Sequence, residues 1–313
     1  MLSRIFLLAA LALGMASAGL PVSAAPASPA VLSSPTAAPL LMGEIHPLRS
    51  GLLAEDREYW LRLPASFAAH DMPAEVTVLY ILDAEKLFPT AAAAAAFFES
   101  SRLSSLGPTV VVGVVSGDRT KDFTPGTSNA RRDGTVDEQA KPVGGGAESF
   151  FHFLTTELRS AAEGHIPQQA RVVRRILVGH SYAGLFTVHS LLWHPNAFDA
   201  YAAIDPSLWW DRGAVANRAA RAGARTAKAP FPRIYVAFAT APRAENAYHL
   251  SRAALFRDEA VPLLEQQGIH VYMKDFPQEV HGSVAPPAIF DALKTLFPAE
   301  LPKAAAAPAP AGG

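Results

Sequence analysis

The chain has 313 residues, of which 50% are hydrophobic, and it sets 27 basic residues against 28 acidic ones. This near balance of charge, with no basic tract, argues against a nucleic-acid partner and against attraction to anionic membrane surfaces. The absence of cysteine excludes disulfides, thiolate metal sites and a cysteine nucleophile.

The first 24 residues have the composition of a secretory signal peptide. Arg4 precedes an apolar run from Ile5 to about Met15, and small residues follow at 16–18 and 22–24. The run is shorter than the roughly 20 apolar residues that a membrane-spanning helix needs. We therefore predict cleavage of residues 1–24, export to the periplasm or beyond, and no membrane span in the mature protein.

Two low-complexity segments flank the predicted domain. Residues 25–42 are rich in proline, alanine and serine, and residues 302–313 have the same character. Because proline interrupts the alanine runs, neither segment has a pattern that would form a helix or bury a core. The sequence thus predicts one folded domain over residues 43–301.

Within this domain, a predicted antiparallel hairpin at 46–64 comes first, and short apolar runs then alternate with helical patterns. The runs predict strands at Val76–Leu82, Thr109–Val115, Arg174–His180, Ala200–Asp205, Arg233–Thr240 and His270–Phe276. Apolar residues recur at helical spacing in ESFFHFLTTELRS (148–160) and AIFDALKTLF (288–297). This alternation predicts an α/β fold, a doubly wound and mostly parallel sheet with helices on both faces, in which ligands bind beyond the carboxyl ends of the strands.

The segment 116–146 lacks apolar periodicity over its whole length. A stretch this long inside a compact domain is usually functional or disordered. Its first part carries Arg119, Lys121 and Asp122 directly after a predicted strand, at the expected binding edge. We predict that this first part contributes to binding and that the second part is mobile.

Ser181, in ILVGHSYAG (176–184), is the candidate nucleophile. It follows an apolar strand and opens a helical stretch, which is the strand-to-helix turn of a nucleophile elbow. Small residues must surround such a turn; Gly179 meets this need, and Ala183 stands where the Gly-x-Ser-x-Gly pattern has its second glycine. Gly184 is adjacent.

A serine hydroxyl needs a base to remove its proton, and the base needs a third group to orient it. His281 follows the last predicted strand and precedes the last predicted helix, where the Ser–acid–His order of α/β-hydrolases places the base. We therefore predict that His281 is the base.

The orienting acid has more than one candidate. Glu245 follows the penultimate strand, as the chain order favours, whereas Asp205 follows the strand before it, a position that some hydrolases use. Glu279 and Asp275 lie close to His281 in sequence, which makes the usual geometry difficult. Glu245 is the favoured candidate and Asp205 the alternative.

The oxyanion of an acyl-transfer intermediate requires backbone N–H donors. The residue after the nucleophile, Tyr182, would supply one, and the loop after the strand at 76–82 would supply another from Ala84 or Glu85. We predict the backbone of Tyr182 and Glu85 as the oxyanion hole.

Six segments in a fixed order resemble the putative esterase family of α/β-hydrolases, and within it secreted serine esterases similar to trilactone-siderophore (enterobactin-type) hydrolases. The resemblance runs from about His46 to Phe297 and rests on EDREYWLRLP, VLYILDAEKLF, VVVGVVSGDRTKDFTP, GHSYAGLFTVHSLL, NAFDAYAAIDPSLWWD and EVHGSVAPPAIFDALKTLF. It departs from the family at three places: Ala183 and Ala84 replace glycines, and Asp205-Pro206-Ser207 replaces Ser-Pro-Ser.

This resemblance implies an α/β-hydrolase fold, with Ser181 as nucleophile and His281 as base. It also implies that Arg119 binds substrate and that Trp209 and Trp210 line the pocket, which would suit an anionic aromatic acyl ester. The alternative is a structural role, in which Arg119 caps a loop through Asp122 and the tryptophans belong to the core.

The sequence therefore predicts an exported serine esterase with a Ser–His–acid triad, acting on a small-molecule carboxylic ester that resembles a siderophore trilactone. No cofactor and no metal site are predicted. One alternative is a carbohydrate esterase, acetyl or feruloyl, on the same fold. Another is an inactive ligand-binding module on that fold.

Overall fold

The computed structural model describes residues 41–68, 72–101, 103–242 and 247–299. The predicted signal peptide, the predicted tail and all of the predicted linker except residues 41–42 lie outside these residues. Among the described residues, no helix combines the length and hydrophobicity that crossing a bilayer requires.

An eight-stranded sheet forms the centre of the domain. The strands in chain order are β1 (Glu44–Ser50), β2 (Glu55–Arg62), β3 (Glu75–Leu82), β4 (Thr109–Val114), the two-residue strands β5 (Thr127–Ser128) and β6 (Val143–Gly144), β7 (Arg171–His180), β8 (Ala200–Ile204), β9 (Arg233–Ala239) and β10 (His270–Phe276). The sheet order is β1-β2-β4-β3-β7-β8-β9-β10, and β5 and β6 pair separately. The strands from β4 to β10 in this order run parallel, while β1 and β2 are antiparallel additions. This arrangement confirms the predicted α/β-hydrolase fold, including the opening hairpin.

Helices cover both faces of the sheet. They are α1 (Ala84–Ser100), α2 (Arg119–Phe123), α3 (Ala147–Phe153), α4 (Arg159–Glu163), α5 (Tyr182–Trp193), α6 (Trp210–Ala222), α7 (Ala247–Leu255), α8 (Val261–Gln266) and α9 (Ala285–Leu296). A π-helical turn at Leu154–Leu158 joins α3 to α4, another at Phe256–Ala260 joins α7 to α8, and a 3-10 turn spans Ala65–Ala68.

Alternate residues of the central strands enter two separate cores, as the pleat of a strand requires. In β3, Tyr80 and Leu82 pack with the aromatic side chains of α3 and α5, whereas Leu79 and Ile81 pack against α1 and α9. Both sets are fully buried. The strands therefore show continuous hydrophobic runs in the sequence because both of their faces are covered.

The segment 116–146 contains more regular structure than its sequence predicts. It holds α2 and the β5–β6 pair, and the Asp118 side chain caps α2 by accepting from the backbone of Thr120 and Lys121. Asp122 at the end of α2 forms a bidentate ion pair with Arg57 of β2, with N–O distances of 2.7 and 3.1 Å. Arg57 is 7% exposed and Asp122 is 1% exposed, so this pair fixes the segment to the sheet from inside.

We expect Asp122→Ala to lower the free energy of unfolding by about 3–5 kcal/mol, because it leaves the buried Arg57 guanidinium without its main counter-charge. Urea unfolding followed by far-UV circular dichroism measures the change. Asp56→Ala is the matched control, since its ion pair with Arg49 is largely exposed, and it should cost about 1 kcal/mol or less. Equal losses for the two variants would contradict this role of the buried pair.

Candidate active site

The carboxyl ends of β3, β7 and β8 lie side by side, because these strands are parallel neighbours in the sheet. The residue that follows each strand is Asp83, Ser181 and Asp205, respectively. All three have positive φ angles, of 56°, 64° and 40°. Three strained residues with polar side chains at one edge mark this edge as a candidate site.

Ser181 lies on a sharp turn between β7 and α5, with φ 64° and ψ −118°. A Cβ atom at Gly179 would lie 2.3 Å from the Ala183 carbonyl oxygen, so glycine is required there. A Cβ atom at Gly184 would lie 2.9 Å from the Ile204 carbonyl oxygen, whereas the methyl group of Ala183 is accommodated in the core. The close approach of α5 to β8 therefore requires glycine at 184, and alanine at 183 is compatible with the turn.

His281 contacts both Ser181 and Asp205. Its Nε2 lies 3.0 Å from the Ser181 Oγ, and its Nδ1 lies 2.5 Å from the Asp205 Oδ2. The imidazole is 30% exposed and the carboxylate only 1%. A hydroxyl, an imidazole and a buried carboxylate thus form one continuous hydrogen-bonded chain, from residues that are far apart in sequence.

The carboxylate in contact with His281 belongs to Asp205, which the sequence analysis held only as an alternative. Glu245, the favoured candidate, lies outside the described residues. The other two candidates are engaged elsewhere, since Glu279 accepts a hydrogen bond from Ser283 and Asp275 pairs with Arg257. Among the described residues, Asp205 is therefore the carboxylate positioned to orient His281, because its place after β8 lets the loop after β10 bring the His281 ring against it.

Asp205 is held as a carboxylate. Burial opposes its ionisation, but hydrogen bonds from His249 and His281, together with the charges of these histidines, hold the pKa of Asp205 well below its usual range. Its Oδ1 also accepts from the backbone N–H of Ala239, at 3.1 Å. The carboxylate therefore stays an acceptor for the Nδ1–H of His281.

His180, which the sequence analysis did not single out, supports His281 from the strand side. Its Nε2 lies 2.8 Å from the His281 carbonyl oxygen, so the nitrogen donates to that oxygen, and the two rings lie 4.7 Å apart. Burial, with a smaller contribution from the charge of His281, lowers the pKa of His180 to about 4. His180 is thus a neutral donor at neutral pH.

The two predicted oxyanion donors lie at the starts of α1 and α5, the helices that follow the neighbouring strands β3 and β7. Tyr182 is the first residue of α5, and Ala84 and Glu85 are the first residues of α1. The first backbone N–H groups of a helix have no partner within it. Along α1, hydrogen bonds to the Asp83 carbonyl oxygen begin only with Lys86. The amides of Tyr182 and Glu85 are therefore not used by the first turns of their helices.

Ser181 and His281 open into a cavity of about 470 Å³, which Asp83, Lys86, Leu87, Arg119, His180, Gly282, Ala285 and Pro286 also line. Arg119 donates from Nε and Nη2 to the two carboxylate oxygens of Asp83, at 2.6 and 2.9 Å, and not to Asp122. Nη2 also donates to the His180 carbonyl oxygen, and no described residue accepts from Nη1. Arg119 is thus held in place at the cavity wall by Asp83 and by the His180 carbonyl oxygen.

Trp209 and Trp210 belong to the core. They are 8% and 4% exposed, contact the Tyr182 ring, and are not among the residues that line this cavity. Trp210 donates from Nε1 to the Gly126 carbonyl oxygen, which ties the 116–146 segment to α6. Their position corrects the prediction that both line the substrate pocket: they support the wall behind Tyr182.

A model of the family described as "Putative esterase" matches residues 50–280, a range that includes Ser181 and Asp205 and ends next to His281. The chain belongs to this family. With its relatives below, this makes the protein a carboxylic ester hydrolase of the serine hydrolase class, as the sequence predicted.

Curated relatives of this esterase have siderophore substrates in their names. The chain is 30% identical to the ferri-bacillibactin esterase BesA of Bacillus subtilis over 231 residues, which are 71% of this chain and 79% of the relative. It is 28% identical to a siderophore enterobactin esterase of Emericella nidulans over 67% of this chain and 78% of the relative. Among solved structures, an IroE-like serine hydrolase from Shewanella oneidensis superposes with a TM-score of 0.68 at 27% identity, covering 82% of this chain and 80% of that one.

The lowered pKa of His180 predicts that acid weakens the fold. The unfolded chain binds a proton at this histidine near pH 6.5, while the folded protein does so only near pH 4, so the free energy of unfolding falls as pH drops between these values. His180→Gln keeps an N–H for the His281 carbonyl and cannot titrate. We expect it to reduce this loss by up to about 3 kcal/mol, measured by urea unfolding at pH 7.5, 5.5 and 4.5.

His189→Gln provides the comparison, because burial also lowers the pKa of His189 to about 4. It should reduce the acid loss in the same direction. A His180→Gln protein with the wild-type dependence on pH would contradict the assignment of part of this loss to His180.

Proposed function

We propose that the esterase hydrolyses siderophore-type carboxylic esters by acyl transfer to water through Ser181, His281 and Asp205. The observation that carries this proposal is the position of His281, whose Nε2 lies 3.0 Å from the Ser181 hydroxyl while its Nδ1 contacts Asp205. This geometry matches the nucleophile, base and orienting acid of a serine hydrolase.

In the first half of the reaction, His281 Nε2 takes the Ser181 hydroxyl proton as Oγ forms a bond to the ester carbonyl carbon. The tetrahedral intermediate collapses by breaking the bond to the alcohol oxygen, which receives the proton from His281. In the second half, His281 takes a proton from water, the hydroxide oxygen attacks the acyl carbon, and Ser181 leaves with that proton. Each hydrolysed ester bond yields one alcohol group and one carboxylic acid group, which stay in the same molecule when the bond belongs to a lactone ring.

Asp205 keeps the His281 ring in the tautomer that leaves Nε2 free to accept the serine proton. Its negative charge also stabilises the imidazolium that forms in each half of the reaction. The low pKa of Asp205 favours this role, because a protonated acid would offer no charge to the imidazolium.

The negative oxygen of each tetrahedral intermediate binds the backbone N–H groups of Tyr182 and Glu85. Each belongs to the first turn of a helix, so the helix dipoles add to the two hydrogen bonds. The strained turn at Ser181 supports this arrangement, since in a nucleophile elbow the hydroxyl is exposed and the backbone N–H of the next residue is an oxyanion donor.

The substrate class follows from the cavity wall and from the relatives. One wall holds Asp83, Lys86 and Arg119; Asp83 pairs with Arg119, so Lys86 supplies the net positive charge, and Arg119 has one nitrogen that no described residue uses. Such a wall favours an ester with anionic or catechol oxygens near the scissile bond. The named relatives act on ferri-bacillibactin and enterobactin, so a trilactone siderophore is the proposed substrate. Export through the signal-peptide-like residues 1–24 would place the esterase in the periplasm or outside the cell.

The test of this function combines a substrate panel with an active-site probe. Purified protein is assayed on apo and ferric trilactone siderophores, feruloyl esters, acetylated xylan and p-nitrophenyl esters. We expect the highest kcat/KM on a trilactone, and a loss of about 10⁶-fold in Ser181→Ala. A fluorophosphonate should label the wild-type protein and fail to label Ser181→Ala.

Three outcomes would contradict parts of this proposal. Activity retained in Ser181→Ala would remove the nucleophile assignment. A preference for feruloyl or acetyl-xylan esters would identify a carbohydrate esterase instead. A wild-type protein that binds a siderophore but neither turns over nor labels would be an inactive binding module.

The acid is tested by a pair of amide variants. Asp205→Asn should lower kcat by about 10⁴-fold, the scale seen when the same exchange forces the wrong histidine tautomer in a serine protease. Glu245→Gln should keep kcat within about threefold of the wild type, because Asp205 already occupies the Nδ1 side of His281. The reverse ranking of the two variants would return the acid role to Glu245.

A further inference from the structure

A second histidine, His249 in α7, contacts the Asp205 carboxylate from the side opposite to His281. Its Nε2 lies 3.2 Å from Asp205 Oδ1, whereas His281 holds Oδ2. His249 is 1% exposed, as is Asp205. The buried carboxylate therefore lies between two imidazoles.

The direction of this hydrogen bond follows from the chemistry of the acceptor. An ionised carboxylate only accepts, so His249 Nε2 carries the hydrogen and donates it. The other ring nitrogen, Nδ1, is buried and has no hydrogen-bond partner among the described residues. The hydrogen bond to Asp205 is thus the one polar contact of the His249 ring with the described residues.

A purely structural role does not account for an imidazole at this position. A buried nitrogen without a partner destabilises the fold, and an apolar side chain of similar volume would fill the same space without that cost. The neighbouring Phe238 ring, 6.3 Å away, would pack equally well against such a side chain. The contact with Asp205 is the feature that an apolar residue could not replace.

The contact controls the direction of the carboxylate. Oδ1 has two described donors, the Ala239 N–H at 3.1 Å and His249 Nε2 at 3.2 Å. Ala239 ends β9 and His249 belongs to α7, so the two donors approach from different elements. Rotation of the carboxyl group away from His281 breaks the bond to His281 and, with both donors in place, two further hydrogen bonds at Oδ1; without His249 it breaks only one further bond.

We propose that His249 is a positioning residue, which holds the Asp205 carboxylate so that Oδ2 faces the Nδ1–H of His281. This inference rests on the function proposed above. His249 touches neither the substrate nor Ser181 in this role and acts through Asp205. The structure thus extends the hydrogen-bonded chain by one member, from Ser181 through His281 and Asp205 to His249.

The test compares two variants that differ in one N–H group. His249→Gln keeps an amide nitrogen the same number of bonds from Cα as the histidine Nε2, so it can still donate to Asp205 Oδ1. His249→Met has a similar volume and no donor. We expect the methionine variant to lower kcat by about 10- to 100-fold, the range seen when outer partners of metal-bound histidines are lost, with KM within about twofold. The glutamine variant should recover kcat to within about threefold of the wild type.

Two further readouts separate positioning from packing. The ¹H NMR resonance of the proton between His281 Nδ1 and Asp205 should shift or broaden in His249→Met and stay at the wild-type position in His249→Gln. The exchange removes the unpartnered Nδ1 but also one donor to the buried carboxylate, so the melting temperature of His249→Met should fall by only a few degrees and the protein should stay fully folded at the assay temperature. A loss of kcat in a fully folded protein then reports on Asp205.

His189→Met is the matched control. His189 is also buried, in α5, and neither of its ring nitrogens has a hydrogen-bond partner in the described part of the chain, but its charged neighbour is Glu148 rather than Asp205. It should keep the wild-type kcat and NMR resonance.

The proposal is overturned if His249→Met keeps the wild-type kcat and resonance, or if His249→Gln loses as much kcat as His249→Met. Ser181→Ala is assayed in parallel. If that variant remains active, the proposed function fails; if it is inactive while His249→Met is unimpaired, only the role of His249 fails.

Discussion

The Asp205 carboxylate is the contact on which the geometry of the site depends. Its two oxygens accept hydrogen bonds from Ala239 of β9, His249 of α7 and His281 of the loop before α9. A buried carboxylate is stable in its charged form only when such donors surround it. The hydrogen bonds to this one carboxylate therefore fix the positions of β9, α7 and the loop before α9 relative to each other. That arrangement places His281 within hydrogen-bond distance of Ser181.

Backbone strain accompanies this contact. Asp83, Ser181 and Asp205 each follow a parallel strand with a positive φ, and each such non-glycine residue costs on the order of 1–3 kcal/mol. The buried strands β3, β7 and β8 bring them together, because both faces of the sheet are packed and the strand ends cannot relax independently. The strain directs the three side chains along the sheet edge, where they meet Arg119 and His281 instead of entering the two cores.

The sequence predicted the parts of this arrangement that depend on chain order. Continuous apolar runs identified the strands because both of their faces are buried, and Ser181 and His281 followed from their places after β7 and β10. The choice between Asp205 and Glu245 could not follow in the same way, since in chain order both come after a strand that precedes His281. The contact of His249 with Asp205 could not be predicted, because histidines are common on amphipathic helices and nothing in the sequence near His249 indicates a carboxylate partner. Trp209 and Trp210 were misplaced because their spacing does not reveal that they pack behind Tyr182.

The side chains at the sheet edge make different contacts on the two sides of Ser181. On the β3–β4 side, Asp83 and Arg119 form part of the cavity wall, while on the β8–β9 side Asp205 accepts its supporting hydrogen bonds. The loop from β10 to α9 must return across β8 and β9 to bring His281 to Ser181, and it then supplies the opposite cavity wall from Gly282 to Pro286. Because the donors to Asp205 and the Asp83–Arg119 pair lie on opposite sides of Ser181, the wall formed by that pair can vary between esterases of this fold without moving the carboxylate that contacts His281.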